Sequence, residues 1–282
     1  MGDSSSIEWT DATWNPVTGC SKVSPGCAHC YAEALTHRFA DEWTAPRLPW
    51  TPDNAAENVI LRPDRLEQPL HWKKPRMVFV NSMSDLFHDQ VPDEFIAKVF
   101  DVMAHAPQHT FQVLTKRPER MHALLNEWAL FDYAENDPQL MPLSNVWLGV
   151  SIENRRFVRR ADYLRETPAA VRFISAEPLL GPLAYDQLVT EHPDDDGEWE
   201  WADGFDGEGL DLDGIDWLIA GGESGPKART MDPRWVRDLR DLADASQTAF
   251  FFKQWGGRTP KANGRELDGR TWDEMPEVGA LA

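Results

Sequence analysis

The 282-residue chain is 41% hydrophobic, carries 13 Trp and 13 Phe and has a formal net charge of −19, so it can bury a substantial core. It contains no apolar run of the roughly eighteen residues a membrane helix needs, and its opening MGDSSSIEWTD has neither the basic patch nor the apolar stretch of a secretory signal, so a cytoplasmic protein is expected. The acidity would argue against nucleic acid if it were evenly spread, but residues 186–216 hold thirteen Asp or Glu and no Lys or Arg, which leaves −6 of the −19 for everything else. That segment reads as an exposed acidic insertion in a single domain spanning residues 1–282.

In chain order, WTDATWNPVTG (9–19) is the first strand candidate and runs into TGCSKVSPGCAHCYAE, which holds every cysteine of the chain: Cys20, Cys27 and Cys30. RMVFVNSMS (76–84) reads as a buried strand and PDEFIAKVFDVMAHA (92–106) as a helix started by Pro92 and Asp93. HTFQVLTKR (109–117) is the next strand, followed by the helix PERMHALLNEW (118–128), opened by Pro118. NVWLGVSIEN (145–154) is a strand and RRFVRRADYLRE (155–166) a basic helix. VRFISAEPL (171–179), IDWLIAGGES (215–224) and TAFFFKQWG (248–256) are further strands, with the helix DPRWVRDLRDLADA (232–245) between the last two.

Continuously apolar strands separated by helices indicate a parallel sheet covered by helices, so the class is α/β. Each strand ends in polar residues: Asn81 to Asp85, Thr115 to Arg117, Ser151 to Asn154, Glu177, Glu223 with Ser224, and Lys253 with Gln254. Ligands of such sheets sit at the carboxyl ends of the strands, so these residues are expected to share one pocket. Trp14, Trp147, Trp217 and Trp255 lie in or beside apolar strands and are expected in the core.

An odd, clustered cysteine count argues against a disulfide framework and for metal or redox chemistry. Three thiolates on one loop leave one iron of a [4Fe-4S] cluster open to a further ligand. Zinc is the rival, because His29 lies between Cys27 and Cys30, but a histidine adjoining one of its fellow ligands is sterically awkward and no second Cys-x-x-Cys pair exists. Iron and sulfur are the favoured reading.

The stretch WNPVTGCSKVSPGCAHCYAE resembles the cluster loop of the spore photoproduct lyase-like radical S-adenosylmethionine enzymes, through Asn15, Pro16, Gly19, Cys20, Cys27, Cys30, Tyr31 and Ala32. It departs from them in the first spacing, six residues between Cys20 and Cys27 where those enzymes have three. The chain as a whole resembles a phage and bacterial three-cysteine-motif family, through IEWTDATWNPVTGC, NSMSDLFH, LTKRPERM, GVSIEN, GGESG and FFKQWGG, which together span residues 7–257 apart from the acidic insertion.

These resemblances imply a partial (β/α)6 barrel of the radical S-adenosylmethionine type. Seven strand candidates stand against six, so one is expected outside the barrel. They also imply a [4Fe-4S] cluster on the three cysteines and S-adenosyl-L-methionine across the strand ends, cleaved by one electron to a 5′-deoxyadenosyl radical that takes hydrogen from a substrate. Ser82, Ser84 and Asp85 would then accept from the cofactor's ammonium, Lys116 would meet its carboxylate, and Ser151, Glu153 or Asn154 its ribose, with Glu177 also in the pocket. Glu223 and Lys253 are the catalytic candidates, together with Gln254 facing substrate.

An electron donor such as flavodoxin or ferredoxin is an implied partner. DNA, or another nucleobase-containing molecule, is the implied substrate class, with Arg155, Arg156, Arg159, Arg160 and Arg165 of the basic helix available to phosphates. No cysteine is left over to return a hydrogen atom as photoproduct reversal requires, which leaves Tyr133 or Tyr163 for that part. Two other readings stand beside this one: a noncatalytic iron–sulfur nucleic-acid-binding or redox protein, and a zinc-stabilised phage interaction protein.

Overall fold

The computed structural model describes residues 5–43, 45–135, 142–184 and 209–277. Strand β1 (Ala12–Trp14) begins the main sheet, and β2 (Val17–Thr18) pairs antiparallel with β3 (Ile60–Leu61) as a separate two-stranded ribbon. Between β2 and β3 lie the cysteine segment and the short helices α1 (Tyr31–Arg38), α2 (Ala40–Trp43) and α3 (Ala55–Asn58). The main sheet continues with β4 (Met77–Val80), β5 (Thr110–Thr115), β6 (Val146–Ser151), β7 (Val171–Ala176), β8 (Trp217–Gly221) and β9 (Ala249–Gln254), all parallel.

The strands stand side by side in their order along the chain, so every crossover advances in one direction and the sheet curls into an open half-barrel with β1 and β9 as its edges. The helices α4 (Asp93–Ala104), α5 (Pro118–Glu135), α6 (Arg160–Arg165) and α7 (Pro233–Ala245) connect successive strands. All seven predicted strands join this one sheet, so none stands outside it.

Residue parity divides the sheet. Val78, Val80, Phe111, Val113, Leu148, Val150, Ile174, Leu218, Phe250 and Phe252 join the large core that includes Phe95, Val99, Met121, Leu125, Val236 and Leu239 of the helices. Residues of the other parity, Phe79, Trp147, Phe173, Trp217, Ile219 and Phe251, gather with Trp9 into a second cluster on the concave face. Trp217 is its hub, edge-on to Trp147 at 6.0 Å and to Phe251 at 5.9 Å. Gly149 makes room for Phe173 in this cluster, since a Cβ there would lie 2.4 Å from the Phe173 ring. Trp14, Trp147 and Trp217 are buried, as expected, and Trp255 packs partly buried against the large core.

Three local expectations are corrected. The basic segment 155–166 is a 3-10 turn, Arg155–Phe157, followed by the short α6. The Asn154 side chain accepts from the Arg156 amide and caps that turn, while Arg160 reaches back to the Ser151 carbonyl and Glu153, so one continuous helix does not form. The helix predicted over 118–128 runs on to Glu135. Residues 186–208 of the acidic insertion lie outside the described residues, but 209–216 are not a loose exposed loop: Leu210, Leu212 and Ile215 are buried, and Arg165 donates to the carbonyls of Asp211 and Asp213. Among the described residues no helix is long and apolar enough to cross a membrane.

Candidate functional site

The site is built on the segment that leaves β2. Gly19 has φ of +85° and a Cβ there would lie 1.8 Å from the Asn58 carbonyl oxygen, so no other residue fits. Its amide donates to the Met83 carbonyl at 3.0 Å, which ties the cysteine loop to the segment after β4. Cys20 follows, Cys27 closes a 3-10 turn (Pro25–Cys27), and Cys30 occupies the cap position of α1. Cys20 and Cys30 pack beside the buried Ala32, Trp50 and Met83, and all three cysteines are of intermediate exposure as residues.

Two fastenings hold the loop over the strand ends. Ser24 Oγ donates to Glu153 Oε1 at 2.5 Å, and Gly26 passes so near that a Cβ would lie 2.5 Å from the same oxygen. Arg229 donates to the Pro25 carbonyl at 3.0 Å while its guanidinium and amide grip Glu223, which also meets His29 Nδ1 at 3.1 Å. Burial would raise the Glu223 carboxyl, but the hydrogen bonds from Arg229 and His29 outweigh it and hold it down at about 2.

Beneath Cys20 lies a buried charge pair. Asp85 accepts from Thr115 Oγ1 at 2.7 Å, from the amides of Lys116 and Phe87 at 3.0 Å, and from Arg117 at 3.1 Å. Arg117 in turn donates to Cys20 Sγ at 3.6 Å and to the Ser21 carbonyl and hydroxyl at 3.1 Å. Burial pushes the Cys20 thiol up to about 12 against the pull of Arg117, and pushes the Cys30 thiol up against the amides of Glu33 and Ala32 and the charge of Lys116. His88, whose Nε2 lies 2.8 Å from Ser21 Oγ, is driven down to about 4 by burial and by Arg117, so it is neutral at pH near 7.

Across the strand ends runs a second set of contacts. Lys116 Nζ donates to Ser151 Oγ at 2.5 Å and pairs with Glu153 Oε1 at 3.1 Å, while Arg160 takes Glu153 Oε2 at 3.0 Å. Ser151 Oγ donates to the Glu177 carbonyl, and the Glu177 carboxylate accepts from Ser175 Oγ at 3.2 Å and pairs with Lys253 at 3.0 Å. Tyr31, half-exposed beside Cys30, donates its hydroxyl to the Ser82 carbonyl at 2.6 Å.

The structure therefore brings Cys20, Cys27, Cys30, Lys116, Ser151, Glu153, Glu177, Glu223 and Lys253 to one end of the sheet. It gives several of them partners that the sequence did not suggest. Asp85 is saturated by four donors and fully buried Glu153 by three side chains. Asn154 is spent on its turn, Ser84 Oγ donates to the Val17 carbonyl, and Ser82 Oγ to Asn15 Oδ1. Gln254 donates inward to Ser224 Oγ and the Gly222 carbonyl. Tyr133 lies in α5 at a position whose side chain is outside the described residues.

Sequence reasoning missed Ser24, Arg117, Arg160 and Arg229 as the groups that position the loop. Arg117 stands in the quoted LTKRPERM stretch and Arg229 follows Glu223 by six residues, but nothing in a linear pattern says which carboxylate each will meet. Among the described residues no three His, Cys, Asp or Glu side chains are drawn together tightly enough to hold a single metal ion.

A family model described as Protein of unknown function (DUF5131) matches residues 4–276. The chain belongs to this DUF5131 family. No curated protein and no solved structure matches it. The match covers the cysteine loop, all seven main-sheet strands and the carboxylates of the site, so the fastenings described above lie within the DUF5131 region.

Proposed function

We propose that this DUF5131 protein is a radical S-adenosylmethionine-type enzyme whose [4Fe-4S] cluster is held by Cys20, Cys27 and Cys30. The observation that carries the reading is the loop itself: three soft donors on one backbone segment, fastened over the carboxyl ends of a parallel half-barrel, with the cations Arg117 and Lys116 set against them. A cluster places each thiolate on a different iron, so three cysteines supply three of its four irons and leave the fourth open to a further ligand. When bound, the cluster would supply one-electron reductive cleavage of S-adenosylmethionine.

The chain's own residues then divide into two kinds. Asp85 positions Arg117 rather than receiving an ammonium, and Glu153 positions Ser24, Lys116 and Arg160 rather than a ribose. Lys116, Ser151, Glu177 and Lys253 remain as the groups to hold the cofactor: Lys116 and Lys253 for its carboxylate, Glu177 for its ammonium and Ser151 for a hydroxyl. Tyr31, at the rim, is added to the set. The aromatic cluster under this layer closes the concave face on the side away from the cysteines and keeps water from entering through the sheet.

The test is anaerobic purification with iron, sulfide and zinc analysis, followed by dithionite, S-adenosylmethionine and chromatography for 5′-deoxyadenosine. Iron and sulfide near four per chain, deoxyadenosine formation, and loss of both in the triple Cys→Ser variant are expected. Stoichiometric zinc without iron overturns the reading; a full cluster that never cleaves the cofactor reduces it to a redox or binding protein.

A further inference from the structure

The three cysteine sulfurs have unequal surroundings. Cys20 Sγ accepts from Arg117 Nη1 at 3.6 Å, a donor that carries full charge. Cys27 Sγ lies 3.6 Å from Ser24 Oγ, but the one hydrogen of that hydroxyl goes to Glu153 Oε1, so Cys27 receives none from it. Cys30, at the cap position of α1, is met by the backbone amides of Ala32 and Glu33. A charged side-chain donor therefore singles out Cys20.

The aim of that donor is fixed by its other bonds. The two terminal nitrogens of a guanidinium carry four N–H groups. In Arg117, Nη2 donates to the carbonyl and the hydroxyl of Ser21, each at 3.1 Å, and Nη1 donates to Asp85 Oδ2 at 3.1 Å. The fourth N–H is the one on Cys20 Sγ. The anchors are themselves held. Asp85 accepts from Thr115 and two backbone amides, and Ser21 Oγ is met by His88, whose Nδ1 accepts from the Gln90 amide at 3.1 Å and so leaves Nε2 to donate at 2.8 Å.

The bonds to Ser21 alone would fasten the loop to β5, so the bond to sulfur is a further feature. It gains strength when the sulfur carries charge, as a thiolate on iron does. Asp85 and Arg117 are 6% and 8% exposed, so little water competes with it. Because Asp85 offsets the guanidinium charge, what reaches Cys20 is chiefly one directed N–H. Hydrogen bonds to the sulfurs of an iron–sulfur cluster help set its reduction potential, and a donor favours the reduced state because it stabilises the negative charge that an arriving electron adds.

We infer that, on the cluster reading proposed above, Arg117 is a positioning residue acting through Cys20: its N–H, aimed by Asp85 and Ser21, raises the reduction potential of the cluster. The experiment is anaerobic reconstitution of the full chain with iron and sulfide, followed by a potentiometric titration of the reduced cluster read by electron paramagnetic resonance. D85N/R117M removes both charges together, so the net charge of the site stays the same while the N–H is lost. Its cluster should have a lower potential than wild type, with the ratio of reduced to oxidised cluster at a fixed potential falling at least tenfold, which is about 59 mV for one electron. D85N keeps Arg117 and should stay at or above the wild-type potential. R117K keeps the pair with Asp85 but cannot hold Ser21 and reach the sulfur at once, so it should fall between wild type and the double variant, and it supplies the answer if the double variant does not fold.

A purely structural role for Arg117 would lower cluster content without ordering the potentials in this way. A full cluster whose potential is the same in wild type, R117K and D85N/R117M overturns the inference and leaves the cluster reading standing, as does a D85N potential as low as that of the double variant. A wild-type chain that takes up no iron–sulfur cluster removes both.

Discussion

At the scale of single residues the site is ruled by pairing rather than by reactive freedom. Glu223 shows how this becomes measurable. Its carboxyl ordinarily titrates near 4.5 and is held at about 2 by Arg229 and His29. A carboxyl with a depressed folded value contributes stability that is complete above its unfolded value and disappears as pH falls toward the folded one. The wild type should therefore exceed Glu223→Gln in urea midpoint at about pH 6, and that margin should shrink steadily between about pH 4.5 and about pH 2. A margin that stays constant over that window would show that Arg229 and His29 do not bind the charged form selectively. The sequence marked Glu223 by its place after a strand and between glycines, but its partner Arg229 lay across a turn that linear spacing does not resolve. Asp85 is the counterexample: its polar neighbourhood made it look like a ligand group, while its four donors make it the anchor of Arg117.

At the scale of elements, strand parity does most of the positioning. In β6, Trp147, Gly149 and Ser151 share the concave side, so one strand supplies in turn an aromatic plug, a gap and a site hydroxyl. The apolar runs made these strands legible in sequence, but two-sided burial hides which parity faces helices and which faces the concavity. Gly149→Ala tests the gap. Its Cβ would lie 2.4 Å from the Phe173 ring, so the variant should lose about 1–3 kcal/mol in urea unfolding, and adding Phe173→Leu should recover part of that loss. Full stability of Gly149→Ala alone would mean that the concave cluster is loosely packed. The turn at Arg155–Phe157 was misread as helix for a related reason: basic residues with helical spacing look continuous until Asn154 is seen to cap the turn and Arg160 to reach back to Ser151.

At the scale of the whole molecule, the decisive feature is that strand order follows chain order, so the sheet has two open edges and its most enclosed strands lie mid-chain. The α/β class, the parallel sheet and all seven strands were readable from the alternation of apolar runs and helices, and the curl came only with the resemblance, whereas the membership of all seven strands in one sheet was not read, because it depends on the direction in which each crossover turns. This topology makes a prediction about local stability. Strands β4 to β8 have neighbours on both sides, while β1 is a three-residue edge strand paired, among the described residues, with β4 alone, and β9 is paired with β8 and an isolated bridge from Phe251 to Asp273. Local opening follows the number of buried contacts that must break, so amide exchange should be slowest in β6 and β7 and fastest among the strands in β1. The cysteine loop hangs from β2 directly after that weak edge, and its fastenings to Glu153 and Arg229 reach across to the stable strands. Ser24→Ala combined with Arg229→Ala should therefore speed exchange in residues 20–30 and in β1 while leaving β6 and β7 unchanged. Equal acceleration in β6 and β7 would mean that the loop is part of the global folding unit, and the site could not then open without unfolding the sheet.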